Sequence, residues 1–200
     1  LVVLSADLGG LISSSFDVLG PIVTVAIQDF DSTSPEWAYT NDIPFFDNGW
    51  GVDGYYGIID KTAASPLDYT YFGNNILGEN DLNDEGDNGT NGWAAIQFDD
   101  VDVSSFSNVE VRFDWQVIGY ANNNDNAQYQ LFYDGVGQGR VFIFDGDNGS
   151  SINDGSGSIV LNIPDVVNTV SLELRIRNNG NNGYFNDSIT TFPSCSNASL

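Results

Sequence analysis

Apolar residues recur at every second position through most of this chain, and nowhere do they recur at helical spacing over three turns. In Val109-Glu-Val-Arg-Phe-Asp-Trp-Gln-Val117, the residues Val109, Val111, Phe113, Trp115 and Val117 face one way and polar side chains face the other. Thr169 to Arg177 repeats the pattern with Val170, Leu172, Leu174 and Ile176, and Gly139 to Phe144 shows a shorter version. Further runs at Ile22 to Phe30, Tyr55 to Ile59, Trp93 to Phe98, Gln128 to Tyr133, Ser158 to Ile163 and Tyr184 to Thr190 complete the set. About nine half-buried strands predict an all-β fold, a two-sheet antiparallel β-sandwich of the jelly-roll kind.

Clusters of Asn, Asp and Gly separate the strands at Asn48 to Gly54, Glu79 to Gly92, Asn122 to Asn126, Asp145 to Gly157 and Asn178 to Gly183, while Asp134-Gly135 reads as a hairpin turn. No linker divides the chain. We expect an apolar arm over residues 1–21, a jelly roll over 22–192 and a tail over 193–200. The apolar start at Leu1 without a Met reads as a processed or excised chain whose export signal has gone, and no apolar run is long enough to cross a bilayer as a helix.

Charge narrows the function classes. Twenty-eight Asp plus Glu oppose 5 Lys plus Arg, a formal charge of -23 that repels phosphate backbones and anionic lipid headgroups. Nucleic acid and membrane insertion are therefore not expected. Such self-repulsion destabilises a compact state unless cations relieve it, and an extracellular protein has millimolar calcium to hand. The single Cys195 allows no intrachain disulfide.

Calcium takes six to eight oxygen ligands, and Gly78-Glu-Asn-Asp-Leu-Asn-Asp-Glu-Gly-Asp-Asn-Gly89 crowds hard oxygen donors into one segment. Asp81, Asn83 and Asp84 are the best candidate ligands, with a solvated acidic loop as the alternative; the spacing is not that of an EF-hand. A second candidate is Asp145-Gly-Asp-Asn-Gly-Ser150, with Asp145, Asp147 and the more distant Asp154, for which an Asx-turn is an equal reading. Asp29, Asp31 and Asp187 form a third set, placed where the first and last strands of such a fold often meet.

The absence of His removes Ser-His-Asp, Cys-His and imidazole chemistry. A glycosidase-type carboxylate pair survives, and Glu110, Asp114 and Glu173 are the acids carried on strands. Aromatic residues beside turns offer another signal, because flat rings stack on sugar faces. Trp50, Tyr55, Tyr56 and Trp93 are the candidates, against the alternative that each fills the core.

Phe30-Asp31 with Asn41-Asp-Ile-Pro-Phe-Phe46, then Gly54-Tyr-Tyr-Gly-Ile-Ile-Asp60, then Asn80 to Thr90, Tyr133-Asp-Gly-Val-Gly-Gln-Gly-Arg140 and Tyr184-Phe-Asn-Asp-Ser188 form an ordered series. It resembles the calcium-binding, carbohydrate-binding-module-like jelly-roll domains of large secreted proteins of Bacteroidota-type bacteria. The resemblance spans about residues 22 to 190 and implies a noncatalytic module with structural Ca2+, bound through the acidic loop and Asp187. Where such domains more usually read Phe-Asp-Asn, this chain has Phe185-Asn-Asp187, so either Asn186 or Asp187 takes the ligand position. The expected partner is an extracellular glycan or polysaccharide at the cell surface or in the medium. The alternatives are neighbouring copies of the same subunit, joined into a fibre by strand addition through the N-terminal arm, and a glycan-cleaving enzyme.

Overall fold

The computed structural model describes residues 22–31, 33–48, 54–60, 75–80, 82, 92–121, 125–145, 152–177 and 188–196. Among these the chain forms β1 (Thr24–Ile27), β2 (Tyr39–Asn41), β3 (Phe46–Asp47), β4 (Tyr55–Asp60), β5 (Asn75–Asn80), β6 (Trp93–Phe98) and β7 (Val101–Asp102). It continues with β8 (Glu110–Ala121), β9 (Asn126–Tyr133), β10 (Val136–Gly137), β11 (Val141–Asp145), β12 (Ile152–Asn162), β13 (Thr169–Arg177) and β14 (Ser188–Ser196). The first sheet has the order β12-β8-β14-β5-β4-β3, with β1 also on β14. The second has the order β10-β9-β13-β6-β2, with β11 also on β9 and β7 on β13. Every strand pair is antiparallel, so the molecule is the expected all-β sandwich.

The alternation seen in sequence explains why the sheets pack. Val170, Leu172 and Leu174 of β13 are buried in one cluster with Val111 and Phe113 of β8, Leu131 of β9, Ile96 and Phe98 of β6, and Tyr56 and Leu77 of the first sheet, while Ile176 packs in a second with Val117, Ala127 and Phe144. Each such side chain removed from water contributes about 1.5–3 kcal/mol. Trp37 closes the core near β2, with its ring 4.9 Å from Phe98 and its indole N–H donating to the Asp99 carbonyl at 2.7 Å. Gly157 lies opposite Trp115, where a Cβ would come within 3.2 Å of the indole nitrogen.

The predicted Asp134-Gly135 hairpin joins β9 to β10, and both residues have the positive φ, 50° and 76°, of a type I′ turn. Asp134 holds the neighbouring connection too, accepting hydrogen bonds from the Asn168 and Thr169 amides at 3.0 and 2.9 Å.

Three boundaries differ from the sequence reading, and the first is β12, which begins at Ile152 inside the cluster assigned to Asp145 to Gly157. Glu79 and Asn80, assigned to a long acidic loop, instead end β5, a buried strand flanked by β4 and β14. Asn75, Gly78, Glu79 and Asn80 carry little strand propensity, and burial on both faces erases the alternation that revealed the other strands. The last strand also runs to Ser196, past the Phe192 boundary, pairing with β8 along its length and with β1 near its end.

Candidate functional site

The two sheets bury similar faces and present unlike ones. On the first sheet, the outward positions of β8 and β12 hold Glu110, Arg112, Asp114, Gln116, Ser156, Ser158, Val160 and Asn162. Arg112 and Glu110 lie 3.7 Å apart and exposed, and the Ser158 hydroxyl donates to Asp114.

On the second sheet, the outward positions of neighbouring strands line up in rows fixed by register. One row runs Asp145, Asn126, Arg177, Trp93; the next runs Phe142, Gln128, Arg175, Ala95; a third runs Gln130, Glu173, Gln97, Thr40. Trp93 is half-buried, with the Arg175 guanidinium 4.1 Å and the Arg177 guanidinium 5.1 Å from its ring centroid. Arg175 Nε donates to Gln128 Oε1 at 2.8 Å, and Gln97 Nε2 donates to the carbonyls of Phe98 and Leu172. Arg140 forms an ion pair with Glu173, and Gln130 donates to the Gln138 carbonyl, which draws the segment after the hairpin against one margin of the face. The result is an indole and a bank of planar amide and guanidinium groups, carried on paired strands.

Trp93 thus stands on a polar outer face. Tyr56, proposed with it from sequence, is corrected to core: its side chain is 0% exposed and packs edge-on to Phe45 at 5.1 Å. Burial first, with Asp42, Tyr39 and Glu79 adding charge repulsion, pushes its phenol far above the usual range. Tyr55 is likewise buried and spends its hydroxyl on the Ile58 carbonyl at 2.9 Å; burial, then Asp47, raises its pKa to about 12. Neither ring is placed to stack on a sugar. Trp50 lies outside the described residues.

The candidate metal ligands divide between two regions. Asp81, Asn83, Asp84, Asp147 and Asp187 lie outside the described residues, but the strand ends that flank them are fixed. Asn80, Trp93, Ala121, Asn126, Asp145, Ile152, Arg177 and Ser188 all fall at one end of the sandwich. The polar side chains Glu79, Asn80, Asp125 and Asn126 are buried at that end. Asp145 is there as well, at the end of β11 in the second sheet, whereas Asp154 is on β12 of the first sheet, opposite Ile118.

Asp29 and Asp31 are elsewhere. Asp29 accepts from the Asp31 amide at 2.9 Å and the Thr33 amide at 3.3 Å; burial raises its pKa, but these hydrogen bonds and one from the Thr33 side chain outweigh it and lower the net value. Asp31 accepts from Asn75 Nδ2 at 2.6 Å, at the junction where β1 and β5 meet end to end along β14. Thr191 pairs with Leu77, so Asn75 is level with Pro193, five residues along β14 from Ser188. At ~3.3 Å per residue that is about 17 Å, so the register does not bring Asp31 to the strand end beside Asp187. The first and last strands do pair, as expected, but through Thr24–Ile27 and Ser194–Ser196. Among the described residues no three acids or other ligating side chains gather into a metal cluster.

The three strand-borne acids also separate. Glu110 and Asp114 stand four residues apart on the outer face of the first sheet, about 13 Å along the strand, and Glu173 is on the outer face of the second. A glycosidase needs its two carboxyl groups roughly 5–9.5 Å apart, which these three do not offer.

No protein-family model matches the chain, and no curated protein matches it. Among solved structures, the xylan-binding domain of a family 22 carbohydrate-binding module is 9% identical, with a TM-score of 0.44 over 92% of this chain and 97% of that one. The K3 cleaved adhesin domain of Lys-gingipain from Porphyromonas gingivalis W83 is 10% identical, with a TM-score of 0.43 over 88% of this chain and all of that one. The enzymatically active domain of bacteriophage CBA120 tailspike protein 4 is 9% identical, with a TM-score of 0.41 over 84% of this chain, which spans only 20% of the tailspike chain. These likenesses describe the sandwich architecture and go no further. No helix among the described residues is long and apolar enough to cross a membrane.

Proposed function

We propose that this chain is a noncatalytic, secreted or cell-surface binding and adhesion module that recognises glycan chains on the outer face of its second sheet. The observation that carries the reading is the Trp93 ring set beside Arg175 and Arg177 in rows with Gln128, Gln97 and Thr40. An indole offers an apolar disc to the C–H face of a sugar ring, while amides and guanidinium groups offer directed hydrogen bonds to hydroxyls. Placement on paired strands keeps these groups rigid, which lowers the entropy cost of binding.

The test is affinity electrophoresis in gels carrying soluble polysaccharides. Trp93→Ala is expected to weaken retention at least tenfold with an unchanged melting temperature; retention equal to the parent chain would remove this face from consideration.

Calcium belongs to the same reading as a structural ion of the loops beyond Asn80, Asp145 and Arg177. The gathering of those strand ends, with buried Glu79, Asn80, Asp125 and Asn126 beside them, supports it. An ion that binds only the folded state raises stability by about 2.7 kcal/mol at a hundred times its Kd. A melting curve in millimolar calcium should therefore shift upward relative to EDTA, and superimposable curves would end the calcium proposal.

Assembly into a fibre is a second reading with one observation in its favour. Strand β11 pairs with β9 alone among the described residues and exposes Val141 and Phe142, 44% and 45% accessible. An open apolar edge can accept a strand from a neighbouring copy. Light scattering that shows a monomer at millimolar concentration would dismiss it.

A further inference from the structure

The register that sets Trp93 on the outer face of the second sheet sets a second ring across from it. Phe142 of β11 pairs with Gln128 and therefore shares the outward side with Gln128 and Arg175, in one row with Ala95. It is 45% accessible and belongs to neither core cluster, so its ring is open to solvent. Phe132 also points outward, but β10 lies against it, and a Cβ on Gly137 would come within 3.2 Å of its ring. Among the described residues, Phe142 and Trp93 are thus the rings that this face presents. Three strand spacings separate β11 from β6, and Trp93 is two residues along β6 from Ala95, so at ~4.8 Å per strand and ~3.3 Å per residue the two Cα atoms are about 16 Å apart. Arg175, its guanidinium 4.1 Å from the Trp93 centroid, ties that ring to the row, and Gln128, which accepts from Arg175 Nε at 2.8 Å, continues it to Phe142. The Arg140–Glu173 ion pair bounds the row on the side toward Gln130. The outcome is a lane across the strands, with a flat ring at each end and planar hydrogen-bonding groups between.

Resting on the glycan reading above, we propose that the ligand is a stretch of linear glycan several sugars long, laid across the strands with one sugar ring on Trp93 and another on Phe142. Each aromatic ring offers an apolar partner to a sugar C–H face, while Arg175 and Gln128 form the polar floor between them. A disaccharide spans too little to reach both rings. A longer chain gains the second contact after its overall freedom has already been lost at the first, so the two platforms together hold it more tightly than either alone. Phe142 acts here through its outward ring, whereas strand addition at β11 would use the backbone groups along its edge. Substitution of the ring therefore separates the two roles.

The experiment is calorimetric titration of the full chain with linear xylo- and gluco-oligosaccharides, each series running from disaccharide to hexasaccharide. Affinity within the series that binds should rise about tenfold from the shortest to the longest member, the effect of one added aromatic stack. Phe142→Ala is expected to flatten that rise and leave the disaccharide affinity unchanged. Phe142→Trp should keep the rise, and Phe142→Leu, apolar but without a flat face, should lose it. Trp93→Ala should lower affinity at every length. Because Phe142 lies outside both core clusters, the melting curves of its variants should match that of the parent chain. Equal affinity for all lengths, or a length dependence that survives in Phe142→Ala and Phe142→Leu, overturns the second platform and leaves glycan recognition at Trp93 standing. Binding to no saccharide overturns both.

Discussion

The outer faces of the two sheets are built on the same alternation and end in different chemistry. Where β8 and β12 face outward, the polar positions hold Glu110, Arg112, Asp114, Gln116, Ser156, Ser158 and Asn162, a mixture in which acids and hydroxyls stand beside two amides and one arginine. Where β9, β13 and β6 face outward, the same positions hold Gln128, Gln130, Arg175, Arg177, Gln97 and Trp93, long planar groups held to one another or to backbone. Solubility asks only for the first kind of surface. The second kind orders its side chains before any ligand arrives, at a cost in rotamer entropy of up to about 2 kcal/mol for each long side chain fixed. What distinguishes the proposed binding face is thus the make-up of its polar half, since the buried half is common to both sheets.

That contrast can be broken at several depths. The largest effect belongs to the interior that both faces share: Leu172→Ala, at a fully buried position, should cost about 2–5 kcal/mol in a denaturant titration. Its folded fraction should still bind glycan with the parent affinity, and an affinity that fell with stability would mean the outer face has no independent role.

Asp134→Ala comes next. It removes two hydrogen bonds to the Asn168 and Thr169 amides and leaves an Ala at positive φ, for a loss of about 1–2 kcal/mol. Because the same hairpin leads to Gln138 and Arg140, retention in a glycan gel should fall with it, whereas a change confined to stability would detach the hairpin from the site.

Tyr56→Phe removes a buried hydroxyl that has no hydrogen-bond partner among the described residues, so stability should rise by up to about 1 kcal/mol. The same residue sets an alkaline limit. The phenols of Tyr55 and Tyr56 have pKa values above the ordinary 10, so their contribution is whole below pH 10 and is lost as pH climbs through about 12, the Tyr55 value. Unfolding followed against tyrosinate absorbance should begin in that window and move upward in Tyr56→Phe.

The smallest effect is expected on the first sheet. Arg112→Gln breaks an exposed ion pair and should change stability by less than about 0.5 kcal/mol and affinity by less than twofold. A larger loss of affinity would place the binding face on the wrong sheet.

Strands that are wet on one side were legible residue by residue: β6 and β13 have the bounds that alternation assigned them. Strand β5 was not, because a segment covered on both faces and built from Asn, Gly and Glu carries neither periodicity nor propensity. The site was legible in fragments. Trp93 was singled out as an aromatic beside a turn, but Tyr56 has the same sequence signature and is buried, since only sheet pairing decides which side of β4 faces the other sheet. Arg175 and Gln128 were not singled out from sequence. The signal that would have found them is the gathering of Gln and Arg with Trp93 on three strands, and it has meaning only once those strands are known to be neighbours.

Strand β14 lies between β8 on one side and β5 with β1 on the other, so the plank that completes the middle of the first sheet comes last in chain order among the described strands. Until residues 188–196 have left the ribosome, β8 and β5 are raw margins facing a gap. Quality control of this domain therefore falls on its final stretch, and a message cut short before Ser188 would yield a product primed to aggregate rather than a smaller working domain.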